Sequence, residues 1–272
     1  MKQSCRQFCV FGNPIGHSKS PLIHNFAFHS LASEMDFFGF YGRVLLQDGK
    51  ALRQSFFDLG LSGANVTVPF KEDAYLQSDE VRGIAKAIGS VNTLVLEGSH
   101  LVGYNTDAEG FYQTIASHGF SNALIIGAGG SAKALAYILK NQGINTSLIN
   151  RTKERLESFI QAGFECYSYE AFSSKGLQKG FDLIINATPA GLTDDSLPMP
   201  KDLLVKIFEH SKMAYDLIYG ITTPFLKLAK ELGIPAQDGK DMLIYQAALA
   251  FALFCGERID PIAIAKKMKS IL

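Results

Sequence analysis

Lys71 closes the stretch "NVTVPFK" (65–71), in which a strand-like alternation runs into Pro69 and only Asn65, Thr67 and Lys71 carry polar side chains. A lysine behind a proline-stopped apolar strand has two readings. It opens the next helix, "KEDAYLQ", as a solvated cation, or it is an acid or base held at the mouth of a cleft. Two more polar clusters stand in the same half of the chain. "GNPIGHSKSPLIHN" (12–25) sets Ser18 and Ser20 two apart, ahead of Pro21. Ser20 suits a helix N-cap and Pro21 a first helical residue, yet a serine-rich helix start without a nearby acid also suits an anion. His17 reads as a loop or packing histidine. "VNTLVLEGSHLVGYNTD" (91–107) brings Asn92 and Asp107 to strand ends, where Asp107 taken alone reads as a helix cap. Together these clusters supply an anion pocket, a proton-transferring group and hydrogen bonders for hydroxyls, the set an oxidoreductase of a hydroxylated anion needs.

A different chemistry is written into "LIIGAGGSAKAL", a G-x-G-x-x-A turn made by Gly127, Gly129 and Ala132. It follows an apolar strand and opens a helix, the context in which such a turn binds a dinucleotide. Gly127 permits the tight turn, Gly129 lets the backbone approach a pyrophosphate, and Ala132 lets helix and strand pack closely. Ala128, Gly130 and Ser131 complete the loop, whose unpaired N–H groups face the phosphates. A Gly-rich turn can also serve sterics alone; the strand–turn–helix context favours the dinucleotide. The next strand, "TSLIN", ends in Asn150 where an NAD-binding fold places an acid for the ribose 2′-hydroxyl. Arg151 follows and can grip a 2′-phosphate, Thr152 adds a hydroxyl, and Arg155 lies one turn on. "RTKER" can equally be an ordinary charged first turn of a helix, although arginine is disfavoured there by the helix dipole. NADP is the expected cofactor. "NATPAG" (186–191) ends a further strand, where Asn186, Ala187 and Thr188 line the cofactor site or form a plain turn.

The elements that must hold these groups alternate strand and helix throughout, which predicts α/β architecture with a mainly parallel sheet covered by helices. "FCVFG" (8–12), "FFGFYGRVLL" and "ANVTVP" (64–69) read as strands, and "SPLIHNFAFHSLA" (20–32), "KALRQSFFDLG" and "EVRGIAKAIG" as helices. "VNTLVLEGSHLVGYNT" is a strand pair turning at Gly98. A second series starts with "NALIIG" (122–127) and continues through "TSLIN", "FECYS", "FDLIINAT" and "MAYDLIY". Boundaries fall near 107 and 239, with the last helices returning to the first domain.

Composition narrows the classes. The chain has 272 residues, 47% hydrophobic, with 26 Lys+Arg against 26 Asp+Glu. That length suits two domains, and zero net charge argues against nucleic acid or an anionic membrane as partner. The longest apolar run, "AALAFALFC" (247–255), is shorter than the ~20 residues a bilayer requires. Cys5, Cys9, Cys166 and Cys255 form no CxxC pair or zinc spacing. No signal-peptide core opens the sequence, so a cytoplasmic protein with reduced thiols and no metal is expected.

The chain resembles shikimate dehydrogenases over nearly its full length. "GNPIGHSKSPLIHN", "GANVTVPFK", "VNTL", "GYNTD", "GAGGSAKA", "NRT", "NATPAG", "DLIY" and "GKDMLIYQA" carry the likeness in order. The resemblance implies reversible reduction of 3-dehydroshikimate to shikimate with NADPH, on the route to chorismate and aromatic amino acids. It implies a substrate domain from residues 1–107 plus 240–272 and an inserted Rossmann domain, 108–239, that binds NADP. By the same likeness Ser18, Ser20 and Tyr219 hold the substrate carboxylate, and Thr67, Asn92 and Gln246 hold ring hydroxyls. Lys71 and Asp107 form the catalytic pair, and Gly239 joins the cofactor residues. Lys133 stands where many members carry arginine, and as a point charge it would hold a 2′-phosphate less selectively. The expected partner is this small-molecule substrate, with the protein a monomer or homodimer. Three rivals remain: an NAD-using quinate/shikimate dehydrogenase, a non-catalytic NADPH-binding sensor, and a dehydrogenase of the folate type, which the serine pair and "GYNTD" fit poorly.

Overall fold

Strand β1 (Ser4–Gly12) starts exposed and then buries Phe8, Cys9, Val10 and Phe11 in succession. Burial on both faces is what a strand inside a parallel sheet requires. The computed structural model describes residues 4–175 and 180–272. It divides into two compact units, one running to Gln113 and resuming at Leu243, the other spanning Thr114–Met242.

In the first unit α1 (Ser20–Ser30), β2 (Phe37–Leu45), α2 (Leu52–Asp58), β3 (Leu61–Val66), α3 (Lys71–Gln77), β4 (Glu80–Val81), α4 (Ala85–Ile88), β5 (Thr93–Glu97), β6 (His100–Tyr104) and α5 (Thr106–Ile115) follow β1. The sheet order is β2-β1-β3-β5-β6-β4. β1 pairs parallel with β2 and β3, and β4 with β6, while β5 is antiparallel to both β3 and β6. Alternation along β1 sorts the core into two layers. Phe8 and Val10 pack with Ile23, Ala27 and Phe28 of α1, whereas Cys9 and Phe11 pack with Leu52 and Phe56 of α2.

The second unit contains β7 (Asn122–Ile126), α6 (Gly130–Asn141), β8 (Asn145–Ile149), α7 (Glu157–Gln161), β9 (Glu165–Tyr167), α8 (Tyr169–Lys175), β10 (Leu183–Asn186), α9 (Lys201–Phe208), β11 (Met213–Asp216), α10 (Pro224–Glu231) and β12 (Ala236–Gln237). Its sheet, β12-β11-β10-β7-β8-β9, is parallel at every pairing. Numbered within the unit, this is the doubly wound order whose switch point lies between the first and fourth strands, here β7 and β10. The chain then passes through α11 (Lys240–Phe254) to α12 (Pro261–Lys269). Ala247, Ala248 and Phe251 of α11 and Ile264 and Met268 of α12 join the Phe8 layer of the first unit.

Three local expectations are corrected. β3 stops at Val66, short of Pro69; proline has no N–H for the ladder, and the chain leaves it after Thr67 N–H bonds Phe11 O at 2.9 Å. "EVRGIAKAIG" is not one helix, because Gly83, at φ +59°, separates β4 from α4. "RTKER" forms a 3-10 turn, Lys153–Leu156, ahead of α7.

Candidate active site

Lys71 is the first residue of α3, so the helix-opening reading describes its backbone correctly. Its side chain does more. Lys71 Nζ lies 2.6 Å from Asp107 Oδ2, and the two side chains are only 18% and 13% exposed. Phe70, one residue before, is buried in the Phe11 layer and anchors the start of the helix. Asp107 is not the cap of α5. Asn105 takes that role, its Oδ1 accepting from Ala108 N–H at 3.3 Å while its Nδ2 donates to Ser90 O at 3.0 Å. Released from capping, Asp107 is free to bind the ammonium.

Asn92 sits just ahead of β5 and is almost wholly buried. Its Oδ1 accepts from Thr106 N–H at 2.7 Å, and its Nδ2 donates to Thr106 Oγ1 at 3.0 Å. A carboxamide has two N–H donors, so one remains for a ligand hydroxyl. Thr67 is half-buried beyond β3 and lies against Gly12, where a Cβ would stand 2.5 Å from the Thr67 methyl. Gln246 lies on α11 against Gly110 of α5, whose added Cβ would stand 2.6 Å from Gln246 N. Gly110 is three residues past Asp107, hence on the same helix face. The first unit therefore gathers Lys71, Asp107, Asn92 and Gln246 around α5.

Ser18 and Ser20 are half-buried at the start of α1. Lys19, not Ser20, occupies the N-cap position, and no side chain caps the helix. Ser18 Oγ instead accepts from Ser20 N–H at 3.3 Å, and Arg43 donates to Ser18 O at 3.1 and 2.6 Å. The serine hydroxyls are thus not consumed as caps, and a guanidinium from β2 fixes the loop that carries them. Arg43 and the buried Asn65, Thr93 and Thr106 carry no site signal in the sequence. Asn65 lies within "NVTVPFK" itself, but its contacts cannot be read from spacing.

In the second unit Gly127 leaves β7 with φ +120°, and a Cβ there would come within 3.0 Å of Ala187 O. No other residue fits this turn without strain. Added Cβ atoms at Gly129 and Gly130 would meet nothing within 4 Å, so the loop before α6 faces open space, and Ala132 is fully buried. Exposed N–H groups at the start of a 12-residue helix suit phosphates. Asn150 directly follows β8 and donates to Thr152 O at 2.9 Å, which shapes the turn carrying Arg151, Thr152 and Arg155, all exposed. Thr188 follows β10, its N–H and hydroxyl both donating to Asn186 Oδ1 at 3.0 and 2.7 Å. Asn186 does not line the surface. It is buried, and its Nδ2 donates to both oxygens of Asp216 at 3.1 and 3.2 Å. Burial pushes the Asp216 carboxyl above its usual value, opposed by the hydrogen bond from Thr223. Gly239 is buried where a Cβ would overlap Leu217 O. Tyr219, half-buried between β11 and α10, has its phenol raised by burial. These residues fit a 2′-phosphorylated dinucleotide: open backbone at the Gly turn, and a guanidinium instead of a carboxylate beyond β8.

The family model for the "Shikimate dehydrogenase substrate binding domain" matches residues 10–94. A "Shikimate dehydrogenase (NADP(+))" of Helicobacter pylori is 52% identical over 266 residues, 98% of each chain. The protein of the same name from Helicobacter hepaticus is 52% identical over 93% of this chain and 92% of its own. The chain belongs to the shikimate dehydrogenase family. Among solved structures, the Thermus thermophilus shikimate 5-dehydrogenase in complex with NADP(H) and shikimate superposes with a TM-score of 0.81 at 32% identity, covering 98% of this chain and 100% of that one. Membership agrees with the α/β units and their parallel-dominated sheets. Among the described residues no helix is long and apolar enough to cross a membrane, and no cluster of three His, Cys, Asp or Glu side chains could hold a metal.

Proposed function

We propose that this protein is an NADP-dependent shikimate dehydrogenase, interconverting shikimate and 3-dehydroshikimate on the route to aromatic amino acids. The Lys71–Asp107 pair at 2.6 Å is the observation that carries the reading. A non-catalytic cofactor sensor would have no use for it. NADP, when bound, accepts the hydride from the alcohol carbon, and its reduced form returns it.

Hydride loss from a secondary alcohol requires the hydroxyl proton to leave as well. Lys71 Nζ exchanges that proton, and the Asp107 carboxylate, 2.6 Å away, orients the amine. The hydroxyls of Ser18 and Ser20 donate to the substrate carboxylate, an assignment supported by their freedom from capping. Asn92 donates its remaining N–H to a ring hydroxyl, with Thr67 and Gln246 serving the others. The Gly127–Ser131 loop takes the pyrophosphate, Arg151 with Thr152 and Arg155 the 2′-phosphate, and Thr188 and Gly239 the remaining cofactor wall.

The first unit is accordingly the substrate domain and the second the cofactor domain. Every group in this scheme comes from one chain, which a monomer or a homodimer both satisfy. The four cysteines are free thiols, which suits a reducing cytoplasm. NADPH formation, followed by absorbance with shikimate and then quinate, and with NADP and then NAD, tests the reading. Turnover of shikimate with NADP is expected. Its absence, with folded protein, would dismiss the proposal.

A further inference from the structure

Tyr41 lies on β2, an edge strand, yet its side chain is buried. The helix start "SPLIHN" grips it from two directions. Asn25 replaces the missing neighbour strand: Tyr41 N–H donates to Asn25 Oδ1 at 2.8 Å, and Asn25 Nδ2 donates to Tyr41 O at 2.9 Å. His24 lies parallel to the tyrosine ring, 4.3 Å between centroids and 3° between planes. Neither His24 ring nitrogen has a partner among the described residues, so the imidazole acts here as a flat packing surface.

Packing alone would be served by phenylalanine. A buried phenol has to find a partner, and this one finds Asn65. Its O–H donates to Asn65 Oδ1 at 2.7 Å. With its oxygen turned towards Tyr41, Asn65 must point Nδ2 the other way, to Thr93 Oγ1 at 3.0 Å and Asn92 O at 3.3 Å. Thr93 Oγ1 in turn donates to Asn92 Oδ1 at 3.0 Å. An unbroken chain of hydrogen bonds thereby runs from Tyr41 through Asn65 and Thr93 to Asn92. Asn65, Thr93 and Asn92 are all buried, where such bonds are stiff and costly to leave unmade.

We infer that Tyr41 is a positioning residue of the substrate site, its phenol fixing, through Asn65 and Thr93, the carboxamide of the hydroxyl anchor Asn92. The inference rests on the role proposed above for Asn92 and adds a group that acts through it.

Tyr41→Phe keeps the ring and its stacking and removes one hydroxyl. The KM for shikimate should rise about tenfold, the scale of one unmatched buried hydrogen bond, with kcat changed by less than about threefold and NADP affinity kept. In an Asn92→Ala background the same change should add less than about twofold, since Tyr41 acts through Asn92. The double variant Tyr41→Phe/Asn65→Leu removes the acceptor that Tyr41→Phe alone would strand. Its melting temperature should recover towards that of the wild type while KM stays raised, which a packing role cannot produce. A Tyr41→Phe protein with a lowered melting temperature and a wild-type KM overturns the inference, as do losses fully additive with Asn92→Ala. A wild-type protein that turns over no shikimate refutes the proposed function itself, and this inference falls with it.

Discussion

Lys71 Nζ and Asp107 Oδ2 meet at 2.6 Å although α3 and α5 enter the sheet from different strands. The contact exists because Asn105 caps α5 in place of Asp107 and because buried Phe70 anchors α3. An ion pair this little exposed is held in one geometry, as proton transfer demands.

If the pair moves the hydroxyl proton, Lys71→Ala should lower kcat by ~10²–10⁴-fold and keep NADP affinity. Asp107→Asn should do nearly as much. The double variant should be little worse than the worse single one, as for residues that act as a unit. Steady-state rates with shikimate and NADP binding by fluorescence decide it. Near wild-type kcat in Lys71→Ala would sink the assignment.

Arg151 follows the Asn150 turn and is exposed, with no carboxylate at that strand end. Arg151→Ala should weaken NADP by about tenfold, or about 1.4 kcal/mol, and leave NAD nearly unchanged. Titrating both cofactors measures this. Equal losses with the two would remove the guanidinium from the 2′-phosphate.

Gly110 lets α5 and α11 touch backbone to backbone, since its added Cβ would stand 2.6 Å from Gln246 N and 2.8 Å from its Cα. Gly110→Ala should cost about 1–3 kcal/mol of stability and raise the KM for shikimate, because the helices carrying Asp107 and Gln246 must part. Denaturant titration with paired kinetics provides the check. Wild-type stability and KM together would contradict it.

Burial lowers His24 to about 3, so the folded protein keeps this imidazole neutral where the unfolded chain binds a proton. Stability from this residue is therefore complete above about pH 6.5 and declines as pH falls towards 3, by up to about 1.4 kcal/mol per pH unit. His24→Phe should gain on the wild type as pH drops from about 7 to about 5. Chemical denaturation at several pH values reads the difference directly. A gap that stays constant with pH would show that His24 does not resist protonation.

Local signals were legible without a structure. Four apolar residues followed by Gly127, Gly129 and Ala132 announce β7, the turn and α6, because strand burial, positive φ and close packing are all set within a dozen residues. The absent acid at Asn150 was equally plain. Capping was not: Ser20 and Asp107 each look like caps, and Lys19 and Asn105 stand at those places instead. A cap depends on where the chain turns and on what else competes for the side chain, as Ser90 O does for Asn105. Tyr41 gave no signal at all, being one aromatic residue among several in an edge strand.

Sequence alone determined which residue types were on hand, two series of strands and helices, and a glycine turn whose backbone no other residue can follow. Tertiary structure decided which of them meet. Lys71 and Asp107 are 36 positions apart, and Tyr41 and Asn65 are 24 apart. Those distances are closed by the order of strands in the sheet, which is fixed by burying Phe8 and Phe11 on opposite faces and not by any local preference of the residues that do the chemistry.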